Sequence, residues 1–284
     1  MGEVFIGSEA IATAKLTEYR LRRRYRPIFR DVYMPKRVEP SLRDRTVGAW
    51  LWSRRCAVVA GVAASALHGA AWVDADIPIE LIAPNARPQR GLLVRNETLA
   101  KDEITRVAGL PVTTRARTAF DLARHLPRDE AVARLDALMR VRPFSIEDVL
   151  QLAKRHRGTR GLRRLTEALP LVDGGAASPK EIWLRLLLID AGFPKPTTQI
   201  LVLDGRRLVA QLDMGWEEFM VAAEYDGDHR RKNRKVYAWD IKRQRKVELL
   251  GWIDIRVINE DREDDIIARV DEAMNSRGFY RDRR

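Results

Sequence analysis

Residues 219–227, FMVAAEYDG, constrain the fold more than any other stretch of this chain. The apolar run Phe219 to Ala223 reads as a strand of a sheet that a crossover helix covers on one face. Glu224 emerges directly from the apolar run, and Asp226, two positions on, points to the same face. A carboxylate so placed is costly unless a cation partners it. With 284 residues and 45% apolar content, the chain can build two or three domains with cores of their own.

The flanking pattern supplies the rest of a layered unit. Ser178 is placed to cap a helix, with Glu181 in capping-box spacing and apolar positions at Trp183, Leu184, Leu186, Leu187 and Leu188. Strands are expected over 197–203, 208–213 and 219–225, with a turn at Asp204 and Gly205. A helix over 236–250 ended by Gly251, a strand over 252–258 and a helix over 264–274 complete the series. The crossover helix predicts a last strand parallel to its neighbour. Asp213 closes the second strand and joins Glu224 and Asp226 as a candidate carboxylate. Such a set holds a hard divalent cation, Mg2+ or Mn2+, and activates water against a phosphodiester. Pairing with the abundant arginines competes for each acid, as does a turn role for Asp226 and plain capping for Glu181.

At the other end, Ser8 is placed to cap a helix carrying Ile11 and Ala14, and Thr17 one carrying Leu21 and Tyr25. Pro27 stops the helical pattern, and Ile28, Phe29, Val32 and Tyr33 around a turn at Asp31 read as a two-stranded wing. Arg20, Arg22, Arg23, Arg24, Arg26 and Arg30 make helix and wing one positive surface, a footprint suited to a DNA groove. Residues 77–94 read as short strands, and helices are expected over 114–126, 129–139, from 146, and over 161–169. Gly174, Gly175, Ala176 and Ala177 form the linker, so the expected boundaries are 1–75, 76–172 and 173–284.

A formal net charge of +12 draws polyanions, DNA first and an anionic membrane second. The stretch 56–73 is built of Ala and Gly and includes Ser65 and His68, so a buried helix is expected rather than a membrane span. The single Cys56 excludes an intrachain disulfide, and His68, His125, His156 and His229 show no zinc spacing. The N-terminus, with Glu3 and Glu9, lacks a secretory pattern, and a cytoplasmic setting is expected. No heptad establishes an interface, and homodimerisation stays open.

Two resemblances attach families to these readings. Residues 4–169 resemble the abortive-infection type IV (AbiEi-like) antitoxin family through YRPIFRDVYMP, VVAGVAASALHG and GLPVTTRARTAFDLAR. That implies a winged-helix DNA-binding autorepressor with a cognate toxin as partner and no catalytic residue. Asp31 stands where that family usually has Gly. Residues 178–277 resemble the PD-(D/E)xK restriction-endonuclease-like superfamily, in its very-short-patch-repair-like branch. The matching passages are SPKEIWLRLLLIDAGFPKPTTQ, VAQLDMGWEEFMVAAEYDGDH and DIKRQRKVELLGWIDIRV.

The second resemblance implies Glu181 as the first-helix acid, Asp213 as the central metal-binding Asp, Glu224 as the second acid, and Asp240 and Arg243 as supporting positions. Asp226 stands where the superfamily pattern has Lys. The branch commonly has His three residues after the Gly of EYDG, where this chain has Arg230; His229, one position earlier, becomes the candidate for proton transfer. Arg230, Arg231, Lys232 and Arg243 become candidates for phosphate contact. The expected fold class is therefore α/β and multi-domain: an N-terminal winged helix, a mixed α/β middle region and a C-terminal restriction-endonuclease-like αβββαβ core with a mixed sheet. The expected function is metal-dependent DNA cleavage leaving 5′-phosphate and 3′-hydroxyl ends. The alternative is a non-catalytic regulator or antitoxin with a degenerate nuclease fold.

Overall fold

The computed structural model describes residues 4–84, 87–227 and 234–281. The chain divides into two compact units, residues 1–174 and 175–284, within the Gly/Ala segment.

In the first unit, β1 (Phe5–Ile6) leads into α1 (Gly7–Ala12), α2 (Glu18–Arg24) and a hairpin of β2 (Tyr25–Phe29) and β3 (Val32–Pro35), in sheet order β1-β3-β2. Thr17 caps α2 by accepting from the Arg20 N–H at 3.3 Å. Ser8 does not cap α1, because that helix already begins at Gly7. Instead the Asp31 carboxylate, from the hairpin turn, takes the Ser8 N–H at 2.9 Å and the Ser8 hydroxyl at 2.5 Å. Tyr25, expected on the helix, opens β2: it pairs with Pro35 and meets Phe5 edge to face.

A reciprocal Ser41–Asp44 capping box starts α3 (Leu42–Trp52). The Ala-rich stretch is not one helix. It divides into β4 (Val58–Val59) and α4 (Gly61–Leu67), broken at Gly61, whose φ of +56° and contact with the Glu80 side chain leave no room for a Cβ. Among the described residues, no helix is long and apolar enough to cross a membrane. Strands β5 (Ile79–Ile82), β6 (Leu92–Arg95), β7 (Ile104–Val107) and β8 (Leu110–Thr113) complete a five-stranded mixed sheet in the order β6-β5-β4-β8-β7. The boundary expected after residue 75 falls inside this unit. Strand β4 pairs with both β5 and β8, and Phe29, Val32, Val59, Leu81 and Val112 share one core. Helices α5 (Arg115–His125), α6 (Arg128–Val141), α7 (Ile146–Arg155) and α8 (Leu162–Ala168) follow.

The second unit runs α9 (Pro179–Asp190), β9 (Thr197–Asp204), β10 (Arg207–Trp216), β11 (Val221–Tyr225), α10 (Arg234–Leu249), β12 (Ile253–Val257) and α11 (Glu263–Ser276). Its sheet order is β12-β11-β10-β9, antiparallel except for the β11–β12 pair, which the crossover through α10 makes parallel. Val221 and Ala223 pack with Leu184, Leu188, Ile266 and Val270 of α9 and α11, whereas Ala222 packs with Val247 of α10. Strand β11 is thus covered on both faces, and by alternation Glu224 lies on the α10 side with Ala222.

Candidate functional site

Glu224, one residue before the end of β11, has only 3% of its surface exposed. The guanidinium of Arg243, from α10, grips it as a fork: Nη2 donates to Oε2 at 2.6 Å and Nη1 to Oε1 at 3.2 Å. Arg243 Nε also donates to Asp240 at 3.3 Å, and the other Asp240 oxygen accepts from Arg256 of β12. The parallel register sets Arg256 opposite Glu224 and Asp254 opposite Ala222. Arg256 therefore lies 3.8 Å from Glu224, 3.6 Å from Asp254 and 3.9 Å from Asp226. Arg256 thus brings a cation toward Asp226 from across the ladder. Burial, together with the Glu224 charge, pushes Asp254 up to about 7 against the pull of Arg256 and Arg243. Burial works against the Arg243 charge, but Glu224 and Asp240 outweigh it and hold Arg243 above its ordinary value.

The other expected acids do different work. Met214 pairs with Ala223, which makes Asp213 and Glu224 the next positions along their two strands. The Asp213 carboxylate accepts the Tyr225 N–H at 3.0 Å. Glu181, in the first turn of α9, accepts from the Ala177 N–H at 2.7 Å and from Gln199 Nε2 at 3.4 Å, while Ser178 caps the helix at 3.2 Å. His229, Arg230, Arg231 and Lys232 lie outside the described residues.

Among the described residues, the acids and imidazoles with ligand atoms all within 4.8 Å of one another are Glu97, Asp121 and His125, in the first unit. Glu181, Asp213, Glu224 and Asp226 do not converge in this way. With both Glu224 oxygens held by Arg243, the arrangement does not fit a bound Mg2+ or Mn2+, because a guanidinium already meets the charge and lone pairs a metal would use.

The first-unit group belongs to a buried ion network that the sequence reading missed. Arg117 donates to Asp121 at 3.1 Å, to Glu97 at 2.9 Å and to Glu103. Arg124 donates to Asp121 at 2.8 Å and to Glu97. His125 lies 3.4 Å from both Glu80 and Glu97. Burial alone would raise Glu97, but hydrogen bonds and charge from His125 and Arg124 prevail and lower it to about 2. The signal was present in RARTAFDLARH, where Arg117, Asp121 and Arg124 fall on one helical face at spacings of four and three.

On the N-terminal surface, Arg20, Arg22, Arg23, Arg24 and Arg30 are exposed. Arg22 reaches Glu18 at 3.5 Å and Arg23 lies 5.8 Å over the Tyr19 ring. Arg26 is half-buried and paired with Glu39 at 3.0 Å, which withdraws it from that surface. The Arg20, Arg24 and Arg30 side chains make no ion pair or hydrogen bond among the described residues.

A basic helix and hairpin, a mixed five-stranded sheet backed by helices, and a second α/β unit define a two-unit α/β protein whose first unit is antitoxin-like: residues 53–171 match the AbiEi antitoxin C-terminal domain. The chain belongs to the same family as the proteins described as "Uncharacterized protein MT2308" and "Uncharacterized protein Rv2248" of Mycobacterium tuberculosis. It is 30% identical to each over 225 residues, covering 78% of this chain and 82% of theirs.

Proposed function

We propose that this protein is a DNA-binding regulator of the antitoxin kind, acting without metal, whose second unit is a restriction-endonuclease-like domain kept as a binding module. The observation that carries the proposal is the exposed Arg20, Arg24 and Arg30 on α2 and the hairpin turn, unpaired among the described residues and shortly ahead of the residues that match an antitoxin domain. In this reading α1, α2 and the β2–β3 hairpin form a winged helix; α2 enters a major groove and Arg30 contacts phosphate beside it. The protein partner is a cognate toxin. A second reading, a metal-dependent endonuclease, is favoured by Asp213 and Glu224 standing on adjacent strands, and it requires Arg243 to release Glu224.

The experiment measures binding to a duplex from upstream of the protein's own coding sequence and to a random duplex, in chelator, beside supercoiled plasmid with Mg2+ or Mn2+. We expect salt-sensitive binding without metal, weakened by combined Arg20→Ala, Arg24→Ala and Arg30→Ala changes, and no nicking. Nicking that disappears with Asp213→Ala and Glu224→Ala would replace the proposal with the second reading. Absence of any DNA binding would sink both.

A further inference from the structure

A groove of about 290 Å3 runs between the start of β10 and α10 in the second unit, lined by Arg207, Leu208, Val209, Lys242, Arg243 and Lys246. Among the described residues its lining holds cations and apolar side chains but no acid. Arg243 has its charge taken by Glu224. Arg207, Lys242 and Lys246 are exposed and make no ion pair among the described residues, although Asp204 stands across the ladder from Arg207. Lys242 and Lys246 are one turn apart on the same face of α10, a like-charge pair that disfavours a bare helix and is relieved by an anion between them.

We infer that this groove seats the sugar–phosphate backbone of duplex nucleic acid, a contact separate from the N-terminal arginines. The floor of Leu208 and Val209 offers apolar surface to the sugars, while the three exposed cations offer charge-assisted donors to phosphate. A flat anionic membrane fits less well, because its headgroups lie in a plane, whereas a phosphate backbone is a narrow ridge that can enter a groove. The inference goes beyond the winged-helix reading and stands or falls without it.

The test uses the full chain, with lysine-reactive footprinting in the presence of a random-sequence duplex at low salt. Lys242 and Lys246 are expected to be protected, and to stay protected when Arg20, Arg24 and Arg30 are changed to Ala. Loss of protection in that background would mean the groove has no affinity of its own, and the inference falls, whatever becomes of the winged-helix reading. Combined Arg207→Ala, Lys242→Ala and Lys246→Ala, with the fold checked by circular dichroism, is expected to lower the slope of log Kobs against log salt by about 2 to 3. An unchanged slope overturns the inference. So does a variant that loses binding to phosphatidylserine-rich vesicles while its DNA binding is untouched.

Discussion

Glu224 and Arg243 are both buried, and their forked contact has replaced water around each charge. Removing one partner leaves the other charged among apolar atoms, which costs about 3–5 kcal/mol, whereas replacing both is close to neutral. Arg243→Met is therefore expected to lower stability by that amount in urea unfolding, and Glu224→Gln combined with Arg243→Met to recover most of it. A cost below about 1 kcal/mol for the single change would mean that Arg256 takes over the pairing. Asp254 makes a second prediction at this scale. Its carboxyl titrates at about 7 in the fold against an ordinary value of 3.8, so between these limits the folded chain holds more protons than the unfolded one. Its contribution favours the fold at low pH and is lost as pH rises from about 4 to about 7. Glu97, lowered to about 2 from an ordinary 4.5, contributes fully above that ordinary value and so is nearly constant over the upper part of the window. His125 is raised, because its contacts with Glu80 and Glu97 outweigh burial, and its contribution declines only above its ordinary value. Asp254→Asn should thus flatten the fall in stability between about pH 5 and 6.5; an unchanged pH profile would show that Asp254 is ionised throughout.

The hairpin turn shows how one residue joins two elements. Asp31 holds a left-handed backbone at φ +60° while its side chain caps α1 through Ser8 and pairs with Arg54 at 2.9 Å. Asp31→Ala loses the cap and keeps the backbone strain, a loss of about 1–3 kcal/mol in thermal or urea unfolding. Asp31→Asn keeps the acceptor and tolerates the backbone, so it should cost less than half as much; equal losses for the two would mean the Arg54 pair, not the cap, is what matters. This linkage was invisible in sequence, because Ser8 has the look of a cap and only the folded hairpin brings Asp31 to it. By contrast β11 was legible, since an apolar run ending in Glu224 has few other solutions, and the order around it followed from clear turns and periods. Strand β4 is two residues inside an Ala/Gly stretch with no period to read, and β7 and β8 alternate weakly around Pro111. For the acidic centre, the sequence placed Asp213 and Glu224 on neighbouring strands, but not their partners. Asp254 and Arg256 reach that centre through the parallel register, and Arg243 through a contact from α10, neither of which local pattern encodes.

At the scale of the whole molecule, the excess of +12 is not evenly available. Arg117, Arg124, Arg243 and Arg256 are consumed in buried or half-buried pairs with carboxylates, whereas Arg20 and Arg24 on α2, Arg30 at the hairpin turn and Lys242 and Lys246 on α10 meet solvent. Those surfaces exist only in the folded chain, whereas the unfolded chain spreads the same charge along its length and binds a rigid polyanion less tightly. Any ligand preferring the folded form stabilises it, by about 2.7 kcal/mol at a hundredfold excess over Kd. For units of this size that corresponds to a rise in Tm of roughly 5–10 °C. Random-sequence duplex DNA at low ionic strength is therefore expected to raise Tm by that order, and about 0.5 M NaCl to abolish the rise, because exposed charges are then screened within a few ångströms. A rise that survives high salt would point to apolar or base-specific contacts as the main source of affinity, and no rise at low salt would show that the folded arrangement of these arginines and lysines gives DNA nothing the unfolded chain does not already offer.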